Sequence, residues 1–256
     1  MPLTTVLALQ EYYLKIFPRK LVYNKSVTEM DLSDKIIYAH KGYFDRESTS
    51  RYKENSLEVC RIASGRDYIK VIELDVRKSK DGILYCYHGN IFEYFFLLKF
   101  RRQFSALQKK YHVSTLKDIL EVISPDKVIC LDVKDSAVSR EDILGVFAGK
   151  KFREVIIGNK SVSYHRQLKD MPKEFVKMLN GNIFSIFYDF KKLRNNNFKY
   201  LEIVFPFLAT QRTLQKIKES GLEFVGFPAI IFWSKNQYLK CVEKYNLPYL
   251  PAYFVR

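Results

Sequence analysis

Little in this sequence could build disulfides, membrane spans or flexible linkers. Its four cysteines, Cys60, Cys86, Cys130 and Cys241, are widely spaced and form no C-x-x-C pair. That excludes a disulfide framework and points to a reducing, cytoplasmic compartment. No run of 18 apolar residues occurs, so a spanning helix is not expected. The apolar stretch at Met1–Leu9 lacks a basic n-region and stops at Gln10 and Glu11, which makes it a poor signal peptide. Glycine and proline number only 10 and 8 in 256 residues, which argues against extensive disorder. No internal repeat, low-complexity tract or Gly/Ser-rich linker divides the chain. Acidic residues are also short, 28 Asp and Glu against 43 Lys and Arg, for a net charge of +15. This excess favours anionic partners or simple solubility. The basic residues are spread along the chain and no recognised binding motif accompanies them, so no nucleic-acid partner is expected.

What is present is a large apolar fraction, 47%, in a length that suits a single α/β barrel. Residues 4–16 read as a short amphipathic helix, followed by a basic linker at Pro18, Arg19 and Lys20. The chain is therefore expected to divide into 1–34, a helix and linker packing on the barrel, and 35–256, the barrel itself. Strand-like runs lie at 36–39, 69–74, 83–87, 127–133, 154–157, 183–188, 200–207, 222–232 and 249–255, nine where a barrel needs eight. Helix-period segments lie at 55–64, 115–123, 140–148, 212–220 and 236–245. Ser114-Thr115 and Ser139 precede acidic first turns and predict helix starts. Continuous apolar strands separated by helices predict a parallel sheet covered on both faces.

Five charged clusters sit at or just beyond these strand ends: Ala39-His40-Lys41-Gly42, Lys53-Glu54-Asn55-Ser56, Glu73-Leu74-Asp75, His88-Gly89-Asn90 and Asp132-Val133-Lys134. Residues i and i+2 of a strand share a face, so Glu73 and Asp75 project together. Two buried like charges need a cation or a shared proton, and a hard divalent ion such as Mg²⁺ or Ca²⁺ is the simplest remedy. A solvated pair on an edge strand is the bland alternative, which the apolar flanks oppose. Asp132 and Lys134 repeat the pattern and offer a third oxygen and a cation for phosphate, or simply an ion pair capping the strand. His40 and His88 are expected at equivalent places in successive βα units, where one histidine can act as base or nucleophile and the other as acid. His112 and His165 sit in polar contexts and receive no role. In an α/β barrel the C-terminal strand ends carry the active site.

Together these residues resemble the glycerophosphodiester phosphodiesterase family, whose motifs are H-R-G, P-E-N-T, E-x-D, H-D and E-x-K. Here they stand as His40-Lys41-Gly42, Lys53-Glu54-Asn55-Ser56, Glu73-Leu74-Asp75, His88-Gly89 and Asp132-Val133-Lys134, with the Lys80-Asp81-Gly82 turn between. The likeness covers residues 36–134. The family's late W-T-V-N and T-D motifs have no counterpart, and Trp233 lies in other surroundings. Gly89 and Asp132 are similar to the sphingomyelinase D-like branch. The resemblance implies a single (β/α)8 TIM barrel of the phospholipase C-like phosphodiesterase type. It implies one Mg²⁺ or Ca²⁺ on Glu73, Asp75 and Asp132, with His40 and His88 as the acid–base pair. Lys41 and Lys134 would then hold the phosphate oxygens, and Glu54 would border the site. The implied activity is hydrolysis of glycerophosphodiesters to glycerol phosphate and an alcohol. The alternatives are a lysophospholipase D or sphingomyelinase D-like enzyme acting on lysolipids or a phosphodiester-linked glycan, and a degenerate barrel that binds a phosphorylated ligand without turnover. The aromatic, basic stretch 91–104 reads either as a peripheral contact with an anionic membrane or as an ordinary helix buried on the barrel.

Overall fold

Residues 35–181, 188–203, 211–226 and 249–252 are described in the computed structural model of this chain. The segments expected as helices at 4–16 and 236–245 lie outside them, as does nearly all of the run at 183–188. Among the described residues, ten strands share one sheet: β1 Ile36–Ala39, β2 Ile69–Lys78, β3 Leu84–Cys86, β4 Ser114–Thr115, β5 Val128–Val133, β6 Glu154–Asn159, β7 Phe175–Leu179, β8 Phe198–Ile203, β9 Glu223–Gly226 and β10 Tyr249–Pro251. Eight of them are parallel, in the order β10-β1-β2-β5-β6-β7-β8-β9, and β9 lies against β10. The helices are α1 Ser48–Arg51, α2 Leu57–Ser64, α3 Ile91–Lys99, α4 Phe104–Tyr111, α5 Leu116–Glu121, α6 Arg140–Phe147, α7 Val162–Gln167, α8 Phe190–Asn195 and α9 Gln211–Glu219. This is a (β/α)8 barrel.

The two-residue period of each strand separates two cores. Outward-facing Ile37, Ala39, Ile72, Leu74, Ile129, Leu131, Val155 and Ile157 pack against Val59, Ala63, Leu116, Ile119, Ile143 and Phe147 of the helices. Each fully buried Ile or Leu there contributes roughly 1.5–3 kcal/mol over an exposed one. Inward-facing Tyr38, Val71, Cys130, Ile156, Met178, Tyr200 and Tyr249 form a second, interior cluster, one residue from each of seven strands. One pleat repeat further along six of those strands stand His40, Glu73, Asp132, Gly158, Asn180 and Glu202. The barrel is thus filled by apolar side chains below and turns polar at its C-terminal mouth.

One surplus strand is the run at 83–87. It is not a barrel strand but β3, which pairs antiparallel with β2 (Val76 with Cys86, Lys78 with Leu84) and with β4. The turn is held by Ser79 N donating to the Ile83 carbonyl (3.0 Å) and Ile83 N donating to Ser79 Oγ (2.9 Å). The barrel strand not foreseen is β7. Its partly buried Phe175, Val176 and Lys177 give a weak apolar signal. Both predicted caps are present. Thr115 Oγ1 accepts from Asp118 N, and Ser139 with Asp142 forms a reciprocal capping box. Each cap contributes about 1 kcal/mol.

Candidate active site

Glu73, Asp75 and Asp132 converge as the sequence predicts, each offering an oxygen within 4.8 Å of the others. Strand β2 pairs with β5 so that Asp75 stands opposite Asp132, which sets the spacing. Lys134 lies among them. Its Nζ is 2.9 Å from Asp75 Oδ1 and also bonds Asp132 Oδ2. Burial, then Asp75 and Asp132, pushes the Glu73 carboxyl well above its usual range. Burial acts to raise Asp75 as well, but Lys134, Lys41 and both histidines outweigh it and hold that carboxyl low. Burial also works to lower Lys134, yet its carboxylate neighbours hold its pKa well above the ordinary value.

The loops after β1 and before α2 are drawn tightly onto these carboxylates. Lys41 N donates to Glu73 Oε2 (2.7 Å). Asn55 holds Asp75 at two points: Asn55 Nδ2 donates to Asp75 Oδ2 (2.9 Å), and Asp75 N donates to Asn55 Oδ1 (3.0 Å). Lys41 (φ 56°) and Asn55 (φ 54°) are both left-handed, and Asn55 N donates to the Lys41 carbonyl (2.8 Å). A lysine in that region stores strain that the surrounding bonds must hold. Gly42 follows at φ +81°, where a Cβ would stand 2.7 Å from Val59 Cγ1. Only glycine meets both demands.

Glu54 spans two loops. Its Oε2 accepts from Lys41 Nζ (3.1 Å), and its Oε1 accepts from the backbone N–H groups of His88 (3.1 Å) and Gly89 (2.7 Å). Contrary to expectation, His88 does not stand at the end of a barrel strand. It reaches the mouth because antiparallel β3 returns along β2, where Tyr87 N donates to the Asp75 carbonyl (2.9 Å). Fully buried Arg77 fixes the return, donating through Nε to the Tyr87 carbonyl (2.9 Å) and through Nη2 to that of His88 (3.4 Å). His88 Nδ1 lies 2.6 Å from the Gly89 carbonyl. A carbonyl can only accept, so Nδ1 carries the proton and Nε2 the lone pair. His40 Nε2 lies 3.9 Å from Glu73 Oε2. Burial first, then Lys41, keeps His40 well below its ordinary pKa; His88 is lowered too, chiefly by burial, with Lys41 and Lys134 adding to it.

Two members of the site escape sequence reasoning. Asn180, just after β7, donates Nδ2 to Asp132 Oδ1 (2.7 Å). It fits because Gly158 leaves room: a Cβ there would collide with Asn180 Oδ1. Glu202 on β8 accepts from Gly181 N (3.2 Å), and burial, then Asp132, raises its pKa to about 7.

His165 is not in a polar context but buried beside Phe198, ring centroids 4.8 Å apart. Burial lowers its pKa to about 4, and the backbone of Asn159 and Met178 offsets this only in part. The unfolded chain, near 6.5, binds the proton more readily, so the stability is present above pH 6.5 and lost as pH falls through 4. Denaturant unfolding of wild type and His165→Leu at pH 7 and pH 4 should differ in acid sensitivity by about 3 kcal/mol. Equal acid sensitivity would remove His165 from this account.

The stretch 91–104 carries a helix with both buried and exposed apolar residues. It forms α3, and Leu97 is buried, whereas Phe92 is 78% and Phe100 50% exposed. Lys99 Nζ lies over the Phe100 ring (5.4 Å) and the Arg102 guanidinium over Phe96 (5.1 Å). The Phe95 side chain lies outside the described residues. Among the described residues, no helix is long and apolar enough to cross a membrane.

The donor set suits a hard divalent ion. It consists of carboxylate oxygens, and Asp75 Oδ1 is buried without a hydrogen bond, 2.9 Å from the Lys134 ammonium. No protein-family model matches this chain, and no curated protein matches it. Solved structures do. A phosphodiesterase of Oleispira antarctica, in complex with its product sn-glycerol-3-phosphate, is 19% identical over 85% of this chain and 93% of its own, with TM-score 0.64. The glycerophosphodiester phosphodiesterase of Thermotoga maritima is 19% identical over 86% and 95%, with TM-score 0.63. That of Agrobacterium tumefaciens is 15% identical over 85% and 96%, with TM-score 0.58. At these identities the likeness is one of architecture: this chain has the α/β-barrel fold of the glycerophosphodiester phosphodiesterases.

Proposed function

We propose that this protein is a metal-dependent phosphodiesterase that hydrolyses glycerophosphodiesters to glycerol phosphate and an alcohol. The observation that carries this reading is the convergence of His40, His88, the Glu73–Asp75–Asp132 triad and Lys134 at one barrel mouth. Glu73, Asp75 and Asp132 would hold one Mg²⁺ or Ca²⁺, which supplies charge neutralisation and polarisation of the phosphoryl oxygens. One histidine takes the proton of the attacking oxygen, from water or a neighbouring substrate hydroxyl, as the new P–O bond forms. The other delivers a proton to the departing alcohol oxygen as the ester bond breaks. Both histidines are held toward the neutral form. The negative charge of the bound diester favours the imidazolium that the acid requires. Lys134 pairs with Asp75 and Asp132 and balances part of the charge of the oxygens that would hold the ion. Lys41, paired with Glu54, offers a point charge where an arginine would grip phosphate bidentately.

The test is release of alcohol and glycerol phosphate from a panel of glycerophosphodiesters, lysolipids and phosphodiester-linked glycans, with and without divalent ion. Ion-dependent turnover of at least one class is expected. Ion and phosphate binding without turnover of any would leave a phosphate-binding barrel instead.

A second reading is favoured by one observation. Phe92 and Phe100 are exposed beside Lys99, Arg101 and Arg102, a surface suited to an anionic membrane interface and to lysolipid substrates. Wild-type protein should co-sediment with phosphatidylserine-containing vesicles, and Phe92→Asp with Phe100→Asp should reduce that binding at least about tenfold. Wild-type protein that ignores anionic vesicles would rule this reading out.

A further inference from the structure

Glu202 is a carboxylate at the barrel mouth whose hydrogen-bonding capacity is half used. Its Oε2 accepts from Gly181 N (3.2 Å), and among the described residues no hydrogen bond or ion pair reaches Oε1. The other carboxylates there belong to a loop tether or to the cluster that would hold the ion. Glu54 accepts three hydrogen bonds, from Lys41, His88 and Gly89, and so cannot turn to a substrate alcohol without releasing a loop. Asp75 is held by Asn55 and Lys134, Asp132 by Asn180 and Lys134, and Glu73 by Lys41 N. Glu202 does not belong to the 4.8 Å cluster that would hold the ion, yet it shares the barrel interior with Asp132 and feels its charge. That is the position of a group that meets not the phosphate but what is esterified to it.

We propose that Glu202 is a specificity-determining residue that accepts a hydrogen bond from a hydroxyl of the alcohol next to the phosphate. This rests on the phosphodiesterase reading in placing the phosphate at the triad. A hydroxyl fits better than a cationic head group, because Lys134 and Lys160 already act on Glu202 and would repel an ammonium. A site built to bond a hydroxyl discriminates against the analogue that lacks it, because its own polar group is then left unpaired.

The test is calorimetric titration of glycerol 3-phosphate and of n-propyl phosphate, which has the same carbon chain and no hydroxyls, into Ca²⁺-loaded wild type, E202Q and E202L. Wild type should prefer glycerol 3-phosphate by about tenfold, and E202L should bring the two affinities within about threefold by weakening glycerol 3-phosphate alone. E202Q preserves the shape of the side chain and should lose part of the preference, so the test survives if E202L fails to fold. A wild type without preference, a preference retained in both variants, or equal weakening of both phosphates would overturn the proposal. A preference lost as predicted in a protein that turns over no diester would contradict the hydrolase reading and leave this one standing.

Discussion

Alanine at His40 or at His88 should each lower diester turnover by a factor of about 10³, the middle of the range for removing a positioned general acid or base. The two variants should remain folded. The tethers of the His88 loop are main-chain bonds: its N–H goes to Glu54 Oε1 and its carbonyl takes Arg77 Nη2, so truncating the imidazole leaves them intact. His40 is more deeply buried, but Lys41 N still bonds Glu73 Oε2 and Asn55 N still bonds the Lys41 carbonyl. The ion-binding affinity of both variants should stay within a few-fold of wild type, since neither ring belongs to the carboxylate triad. Single-turnover kinetics separates the lost chemical step from lost binding. Activity unchanged in both variants would sink the assignment of either histidine as acid or base.

The second large effect is expected on stability. Lys134 is the cation nearest to Asp75 and Asp132 in the protein without an ion, and Glu73 lies within the same cluster. Lys134→Met leaves those carboxylates clustered without the ammonium that pairs with two of them. Breaking a buried pair by removing one partner costs roughly 3–5 kcal/mol, which for a chain of this size lowers Tm by about 10 °C. A divalent ion supplies the missing positive charge, so Ca²⁺ or Mg²⁺ should restore much of the loss in Lys134→Met and stabilise wild type far less. Calorimetric melting in chelator and in saturating ion reads both numbers. Equal melting temperatures for wild type and variant in chelator would show that Lys134 does not balance the triad.

How far the site can be read from sequence follows from what is local. Glu73 with Asp75, and Asp132 with Lys134, are legible because i and i+2 share a strand face, and their flanks are apolar enough to mark buried strands. The caps at Thr115 and Ser139 are equally local. The hairpin strand β3 misleads because it is apolar on both faces. Leu84 and Cys86 pack into the core around the barrel helices, while Tyr85 and Tyr87 pack against Leu107 and Tyr111 of α4. Its composition therefore matches a barrel strand, and only its antiparallel pairing shows otherwise. Asn180 and Glu202 carry no local signal. Each is one polar residue at the end of a short strand, 48 positions from Asp132 in the case of Asn180, and only barrel closure brings them together. Lys41 shows a further limit: the resemblance implies a phosphate contact, but only the fold shows its Nζ already paired with Glu54.

Ion dependence is read by following ion binding and glycerophosphodiester turnover in one titration of chelator-stripped protein, with Asp75→Asn alongside. Turnover should start near zero, rise with the ion and saturate at one ion per chain, and Asp75→Asn should lose ion binding and turnover together. Turnover that is indifferent to the ion, or an Asp75→Asn variant that keeps both, would contradict a metal-dependent phosphodiesterase built on this triad.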